Sequence, residues 1–282
     1  MQEENEFDNF LGIPEILPED SDVLILPIPL ELTVSYGKGT KNGPKAIIEA
    51  SKHVELYDHE LGYEVDSKVK IATLPAVEIN TEVPEEAQKI ISKAIEPWTE
   101  KFVLSLGGEH SITPALISEY QKKYSDLSIL YFDAHTDMRE EWGGTKWSHA
   151  CAARRCQEGG IKNIVWVGTR NTALSEQQYI NTEQVNYGNK YDLKKILSQL
   201  SPNVYISFDI DCFDVSTMPA TGTPEPGGIS WYQAMEIFEA VTREKNVVGA
   251  DIAECAPIEK LHGYDFLVAK LAFKLIGYKF RK

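Results

Sequence analysis

The sequence predicts an α/β architecture, in which a mostly parallel sheet is covered on both faces by helices. Three observations carry this reading. Strand-like and helix-like segments alternate along the chain. The strand-like segments are short continuous apolar runs, such as Val23-Leu-Ile-Leu26, as strands buried on both faces require. No linker, internal repeat or low-complexity tract divides the 282 residues, so a single domain over 1–282 is expected, long enough to bury a substantial core.

Each element has its own local reason. Residues 1–20 carry Pro14 and Pro18 among mixed charges and read as an N-terminal arm. The first strand is 22–29, an apolar run ended by prolines. A glycine-rich loop over 35–44 then enters a helix at 45–50, and Gly43-Pro44 suits that entrance because proline is tolerated in the first turn. The loop lacks the spacing of a phosphate-binding P-loop. Ala87, Ile90, Ile91, Ala94 and Ile95 keep a helical period, which predicts a helix over 85–95. A strand at 102–106 runs into Gly107-Gly-Glu-His110, a helix follows over 111–124, and the strand 127–132 ends in Asp133-Ala-His-Thr-Asp137. Further on come a helix beginning at 150–156, a strand at 163–167, and a strand at 203–208 ending in Asp209-Ile-Asp211. The last elements are a helix at 231–242, a strand at 247–251 leading to Glu254, and a helix at 266–276.

Composition narrows the function. Hydrophobic residues at 43% and charged ones at 25% are those of a globular protein. A net charge of −15 argues against a nucleic-acid partner, since phosphate binding needs a basic face, and favours cations, whether metal ions or small molecules. Four cysteines in a chain of this length do not make a disulfide framework, and four reduced thiols are expected. Residues 1–6 are acidic, unlike the positive start of a secretory signal, and no apolar run approaches the roughly 18 residues of a membrane span. These features lead to the expectation of a soluble, cytoplasmic protein without a membrane partner.

Residues two apart on an extended chain point to the same side. Asp133, His135 and Asp137 can therefore face one spot beyond their strand, and Asp209 and Asp211 repeat the arrangement. In open parallel sheets ligands bind outside the carboxyl ends of the strands, and His110 and Glu254 fall at that same edge. One Asp-x-Asp after a strand is often only a turn or cap, and His53, His59 and His262 read as ordinary surface or core histidines. Six ligand-type residues at one edge point to a metal site. Two histidines and four aspartates are about the set that two carboxylate-bridged divalent ions need, and an oxygen-rich set suits Mn2+ better than zinc. Two such ions, roughly 3.5–4 Å apart, acidify a bridging water to hydroxide. A phosphoester, an amide or a guanidinium group could be its target.

Gly107-Gly-Glu-His110, Asp133-Ala-His-Thr-Asp137, Ser148-His149, Ser207-Phe-Asp-Ile-Asp211 and Thr221-Gly-Thr-Pro-Glu-Pro-Gly-Gly228 together resemble the ureohydrolases, the arginase and agmatinase family. The resemblance runs in order from about Asp22 to the C-terminus. It implies a three-layer α/β/α fold, two manganese ions per subunit, a trimer or hexamer, and hydrolysis of a guanidino group to urea and an amine. By position, His110, Asp133, Asp137 and Asp209 would hold one manganese, and Asp133, His135, Asp209 and Asp211 the other. Asp137 would orient the hydroxide, and Glu254 would clamp the guanidinium, whose forked donors a carboxylate matches. His149 would line the pocket and carry a proton to the departing amine. Thr223 belongs to the implied substrate pocket. Asp214-Val215 stands where the family often has proline, and Asp214 is expected to be structural.

The loop 138–147 lacks the Asn- and Ser-rich stretch with which arginases hold an amino acid head group. Glu140 and Glu141 instead suit a substrate whose far end is an amine, and the loop with Ser148-His-Ala-Cys151 resembles the agmatinase branch. Agmatine, giving putrescine and urea, is the expected substrate. Aminopropylagmatine, giving spermidine, would need a longer acidic pocket. Guanidinobutyrate would bring its carboxylate against Glu140 and Glu141.

Overall fold

The computed structural model describes residues 8–281. In chain order the strands are β1 (Val23–Ile28), β2 (Tyr57–Asp58), β3 (Tyr63–Glu64), β4 (Ile71–Thr73), β5 (Phe102–Gly107), β6 (Ser128–Phe132), β7 (Ile164–Thr169), β8 (Val185–Tyr187), β9 (Asn203–Asp209) and β10 (Asn246–Ala253). The helices are α1 (Gly43–Ser51), α2 (Val65–Lys68), α3 (Pro84–Ile95), α4 (Thr113–Lys123), α5 (Ala152–Glu158), α6 (Leu193–Gln199), α7 (Trp231–Glu244) and α8 (Gly263–Lys279). β2 and β3 form a small antiparallel ribbon. The other eight strands make one sheet in the order β4-β1-β5-β10-β9-β6-β7-β8, parallel at every adjacent pair.

The continuous apolar runs have the reason expected of them: both faces are buried. In β1, Val23 and Ile25 pack on one face and Leu24, Leu26 and Ile28 on the other; in β6, Leu130 and Phe132 oppose Ile129 and Tyr131. The first face carries α1, α6, α7 and α8, and the second α3, α4 and α5. This is the three-layer α/β/α arrangement. Proline opens α3 and α4 within their first turns, and a Ser230/Gln233 capping box starts α7. No helix among the described residues is long and apolar enough to cross a membrane. Cys151, Cys156, Cys212 and Cys255 are buried free thiols.

The segment expected as an arm differs from that reading. Residues 1–7 lie outside the described residues. From Asn9 onward the chain is tied down: its side chain donates to the Ile71 carbonyl (3.1 Å), and the Leu11 amide donates to Ser51 Oγ (2.8 Å). Phe10 and Leu11 are buried in the core, so burial of two large apolar side chains holds this stretch against α1 and β4. The β2/β3 ribbon, the short helices α2 and α6, and two strands of the main sheet, β4 and β8, have no counterpart among the expected elements. The two strands are three residues each, too short to register as a pattern, and both lie at sheet edges.

The strand order places four carboxyl ends side by side. β5 and β6 would be neighbours in a simple progression, but β10 and β9 lie between them. The turns after β5, β10, β9 and β6 therefore meet over the middle of one sheet edge, where a doubly wound sheet has its crevice.

Candidate metal centre and active site

Local backbone requirements shape this crevice. A Cβ at Gly108 would lie 2.0 Å from the Leu30 carbonyl oxygen, so only glycine lets β5 turn toward His110. Asp209 caps the turn after β9 by accepting the Asp211 amide at Oδ1 (2.8 Å). Asp137 and Glu254 hold left-handed backbone, with φ of 51° and 67°, a conformation that non-glycine residues keep mainly where the surroundings over-determine it. Both strained residues face the same cavity.

The six residues expected as metal ligands come together. His110 Nδ1 lies 3.1 Å from Asp133 Oδ2, 3.3 Å from Asp137 Oδ2 and 3.4 Å from Asp209 Oδ2. His135 Nδ1 lies 3.3 Å from Asp133 Oδ1 and 3.0 Å from Asp211 Oδ2. Two groups with metal-binding geometry result, His110/Asp133/Asp209 and Asp133/His135/Asp211. Asp133 belongs to both and turns one oxygen toward each.

Four carboxylates against two imidazoles leave a buried surplus of negative charge. Burial, then Asp137 and Asp211, push the Asp133 carboxyl up to about 7. Burial and the neighbouring aspartates raise Asp209 as well. Burial opposes charge on His135, yet Asp211 and Asp133 outweigh it and lift the ring to about 12. Such a cluster is short of cations, and divalent ions satisfy it. The supporting contacts agree. Ser207 Oγ donates to Asp251 Oδ1 (2.9 Å) and so accepts from His110 Nε2 (2.8 Å). That fixes the tautomer with Nδ1 free to ligate, as a second-sphere carboxylate commonly does. Tyr131 stacks on His110 and donates to Asp137 Oδ2 (2.9 Å).

Because ligands must lose protons to bind metal, divalent-metal affinity is expected to rise with pH. Asp133 ionises only as the pH passes about 7, so each displaced proton makes binding about tenfold weaker per unit of pH below that point. Titration calorimetry in buffers of different ionisation enthalpy measures this as protons released; a pH-independent affinity between about 6 and 8 contradicts it.

A cavity of about 330 Å3 opens over the cluster. Its lining includes the expected Asp137, His149, Thr223 and Glu254. Glu254 is buried, its Oε1 accepts the His110 amide (2.7 Å), and burial pushes its carboxyl up to about 8. His149 lies half-buried, with Thr33 Oγ1 3.2 Å from Nδ1 and Ser35 Oγ 3.0 Å from Nε2. Burial lowers its pKa, against the pull of Asp137 and Glu109.

Glu140 and Glu141 are not brought to the cavity. Glu140 Oε2 accepts from the Tyr179 hydroxyl (2.8 Å) with its side chain 64% exposed, and Glu141 is exposed. The loop offers Arg139 and Trp142 to the cavity instead. Arg139 stacks on Trp142, 4.3 Å from the ring centroid, and its Nε lies 3.6 Å from Glu176 Oε1. Glu176, also in the lining, accepts from Thr136 Oγ1 (2.7 Å) and the Ala173 amide (2.8 Å). Asp214 is structural as expected, accepting the Ser216 and Gly227 amides (3.0 and 2.6 Å). Arg170, which sequence reasoning missed, donates to the carbonyls of Gly168, Asp211, Phe213, Glu225 and Pro226. It thereby ties the Thr221–Gly228 segment to the end of β9.

Fold and site together define a hydrolase of the binuclear-metal class. The chain belongs to the Arginase family, whose model matches residues 21–277. An N(1)-aminopropylagmatine ureohydrolase of Synechocystis sp. is 34% identical over 92% of this chain and 89% of its own. An agmatinase of Pyrococcus horikoshii is 33% identical over 95% of each chain. The agmatine ureohydrolase structure of Thermoplasma volcanium superposes with a TM-score of 0.84 at 28% identity, covering 93% of this chain and 91% of that one. The chain is thus an agmatinase-like ureohydrolase.

Proposed function

We propose that this enzyme hydrolyses agmatine to putrescine and urea with two Mn2+ ions, a step of polyamine biosynthesis. The observation that carries the reading is Glu254, a buried carboxylate in the same cavity as His135, Asp209 and Asp211. Burial holds its pKa high, so it gains most from a cation, and a guanidinium matches it with two parallel donors.

His110, Asp133, Asp137 and Asp209 would hold one ion, and Asp133, His135, Asp209 and Asp211 would hold the other; an oxygen-rich set of this kind favours manganese. The pair, when bound, supplies an acidified water as nucleophile at neutral pH. Asp137 would accept a hydrogen bond from that nucleophile, and Glu254 would hold the guanidinium carbon toward it. Attack there and cleavage of the carbon–nitrogen bond to the tail leave urea and an amine. His149, kept neutral by burial, would take the proton that the attacking oxygen sheds as the urea carbonyl forms. It would pass that proton to the departing amine nitrogen as the carbon–nitrogen bond breaks.

At the tail end the support shifts from Glu140 and Glu141 to the carboxylates that line the cavity. With Asp137 given to the metal and Glu254 to the guanidinium, Glu176 is the lining carboxylate left for the tail. It engages Arg139, whose guanidinium also stacks on Trp142, and the relatives named agmatinase add support for an amine there. A cationic tail is favoured over a carboxylate. The second reading is N(1)-aminopropylagmatine, supported by three relatives of that name at 34%, 35% and 34% identity. Urea release by the Mn2+-loaded enzyme distinguishes them. Agmatine is expected to exceed arginine and guanidinobutyrate in kcat/KM by at least about a hundredfold, since a like-charge mismatch costs several kcal/mol. A lead for either carboxylate substrate overturns the cationic tail, and a lead for aminopropylagmatine selects the second reading.

A further inference from the structure

We infer that Glu109 is a positioning residue: acting through Thr33, it fixes the neutral His149 ring with its hydrogen on Nδ1 and so makes Nε2 the atom that takes up and releases the proton. The inference rests on the ureohydrolase reading above.

Glu109 is fully buried and accepts four hydrogen bonds. The amides of Leu32 (2.8 Å) and Thr33 (2.6 Å) donate to Oε2; Thr33 Oγ1 (2.7 Å) and Ser111 Oγ (2.6 Å) donate to Oε1. A carboxylate that accepts at both oxygens carries no proton to give. The Thr33 hydroxyl hydrogen is therefore committed to Glu109, and toward His149 the Thr33 oxygen can only accept. It lies 3.0 Å from the His149 amide nitrogen and 3.2 Å from Nδ1, and its two lone pairs serve both. As the nearer of the two oxygens beside Nδ1, Thr33 Oγ1 calls for the hydrogen on that nitrogen in the neutral ring. Ser148 Oγ is the more distant neighbour of Nδ1, at 3.4 Å.

On the other side of the ring, Nε2 meets Ser35 Oγ at 3.0 Å, and Ser35 accepts from Trp142 Nε1 at 3.0 Å. Ser35, Trp142 and His149 line the cavity, and Thr33 is not among its lining residues. In the neutral ring Ser35 donates to Nε2. Once Nε2 takes a proton, the Ser35 hydroxyl has only to turn and accept with its second lone pair. Trp142, Thr33 and Glu109 keep their bonds throughout. The ring thus cycles between neutral and charged forms with one hydroxyl rotation, on its cavity side. The opposite tautomer would set the Nδ1 lone pair against that of Thr33.

Thr33→Val removes the relay and leaves the amide bonds to Glu109 Oε2 in place; Thr33→Ser keeps the hydroxyl. In the metal-loaded full chain, Thr33→Val is expected to lower kcat about ten- to a hundredfold, as loss of an orienting partner does, with KM for the substrate within about twofold. Thr33→Ser recovers most of the loss. In a His149→Asn background Thr33→Val has no further effect, because the two act as one unit. In the metal-free protein, nitrogen chemical shifts of 15N-labelled histidine place the hydrogen on Nδ1 of His149 in the wild type and mix the tautomers in Thr33→Val. An unchanged kcat in Thr33→Val, an equal loss in the His149→Asn background, or a wild-type ring protonated at Nε2 overturns the inference. Wild-type enzyme that releases no urea from any guanidino compound sinks the ureohydrolase reading instead, and the tautomer measurement still decides the relay.

Discussion

Asp209→Ala abolishes urea release and leaves fewer than two metal ions bound per chain. Asp209 Oδ2 lies 3.4 Å from His110 Nδ1, and Oδ1 holds the amide of Asp211, so the substitution removes a ligand atom and loosens the turn that presents another. Losing one of two adjacent ions forfeits several kcal/mol of charge stabilisation, which amounts to a fall in kcat of at least about a thousandfold. A misfolded variant would lose activity too, and the metal-free protein separates the cases. Burial holds the Asp209 pKa well above that of an ordinary carboxyl. A carboxyl raised on folding lowers stability as the pH climbs from its unfolded value through its folded one. Deleting it should therefore leave the metal-free variant at least as stable as metal-free wild type near pH 8, with the gain shrinking in acid. Metal then raises the melting temperature of wild type more than that of the variant. Two bound ions and near-normal turnover in Asp209→Ala contradict the site.

The metal cluster could be read in the sequence because strand geometry is local. Alternate positions after a strand share a side, so Asp133, His135 and Asp137, and then Asp209 and Asp211, announced themselves before any tertiary contact was known. The order of strands was not local: nothing in the residues told that β10 and β9 insert between β5 and β6. Glu254 was assigned through a family resemblance, and its strained backbone emerged only in three dimensions. Loop side chains were the least legible. Glu140 and Arg139 are neighbours, yet Tyr179 draws Glu140 outward while Trp142 and Glu176 hold Arg139 at the cavity. Those partners lie up to about forty positions away along the chain, and side-chain direction in a loop follows such partners rather than a period. Phe10 and Leu11 do carry a signal in the sequence, since two adjacent large apolar residues in a polar stretch need a core, and both are buried.

Glu254→Gln isolates the charge of the guanidinium clamp. The glutamine oxygen can still accept the His110 amide bond that Oε1 takes at 2.7 Å, so His110 stays in place and two metals should still bind. The other position becomes an amide donor facing the guanidinium's own donors. Breaking one side of a buried ion pair in this way costs about 3–5 kcal/mol, or roughly 10^2- to 10^4-fold in kcat/KM. The pH profile supplies a second signature. Burial pushes Glu254 up to about 8, and the carboxyl must be ionised to hold the substrate, so kcat/KM rises with pH through its pKa. Two cations bound nearby favour the ionised form and bring that limb below 8. Glutamine cannot ionise, so the limb attributable to Glu254 should vanish in the variant while the metal-binding limb at lower pH remains. If Glu254→Gln keeps kcat/KM within about threefold of wild type with both metals bound, the guanidinium lies elsewhere in the cavity and the buried, strained carboxylate serves only to position His110.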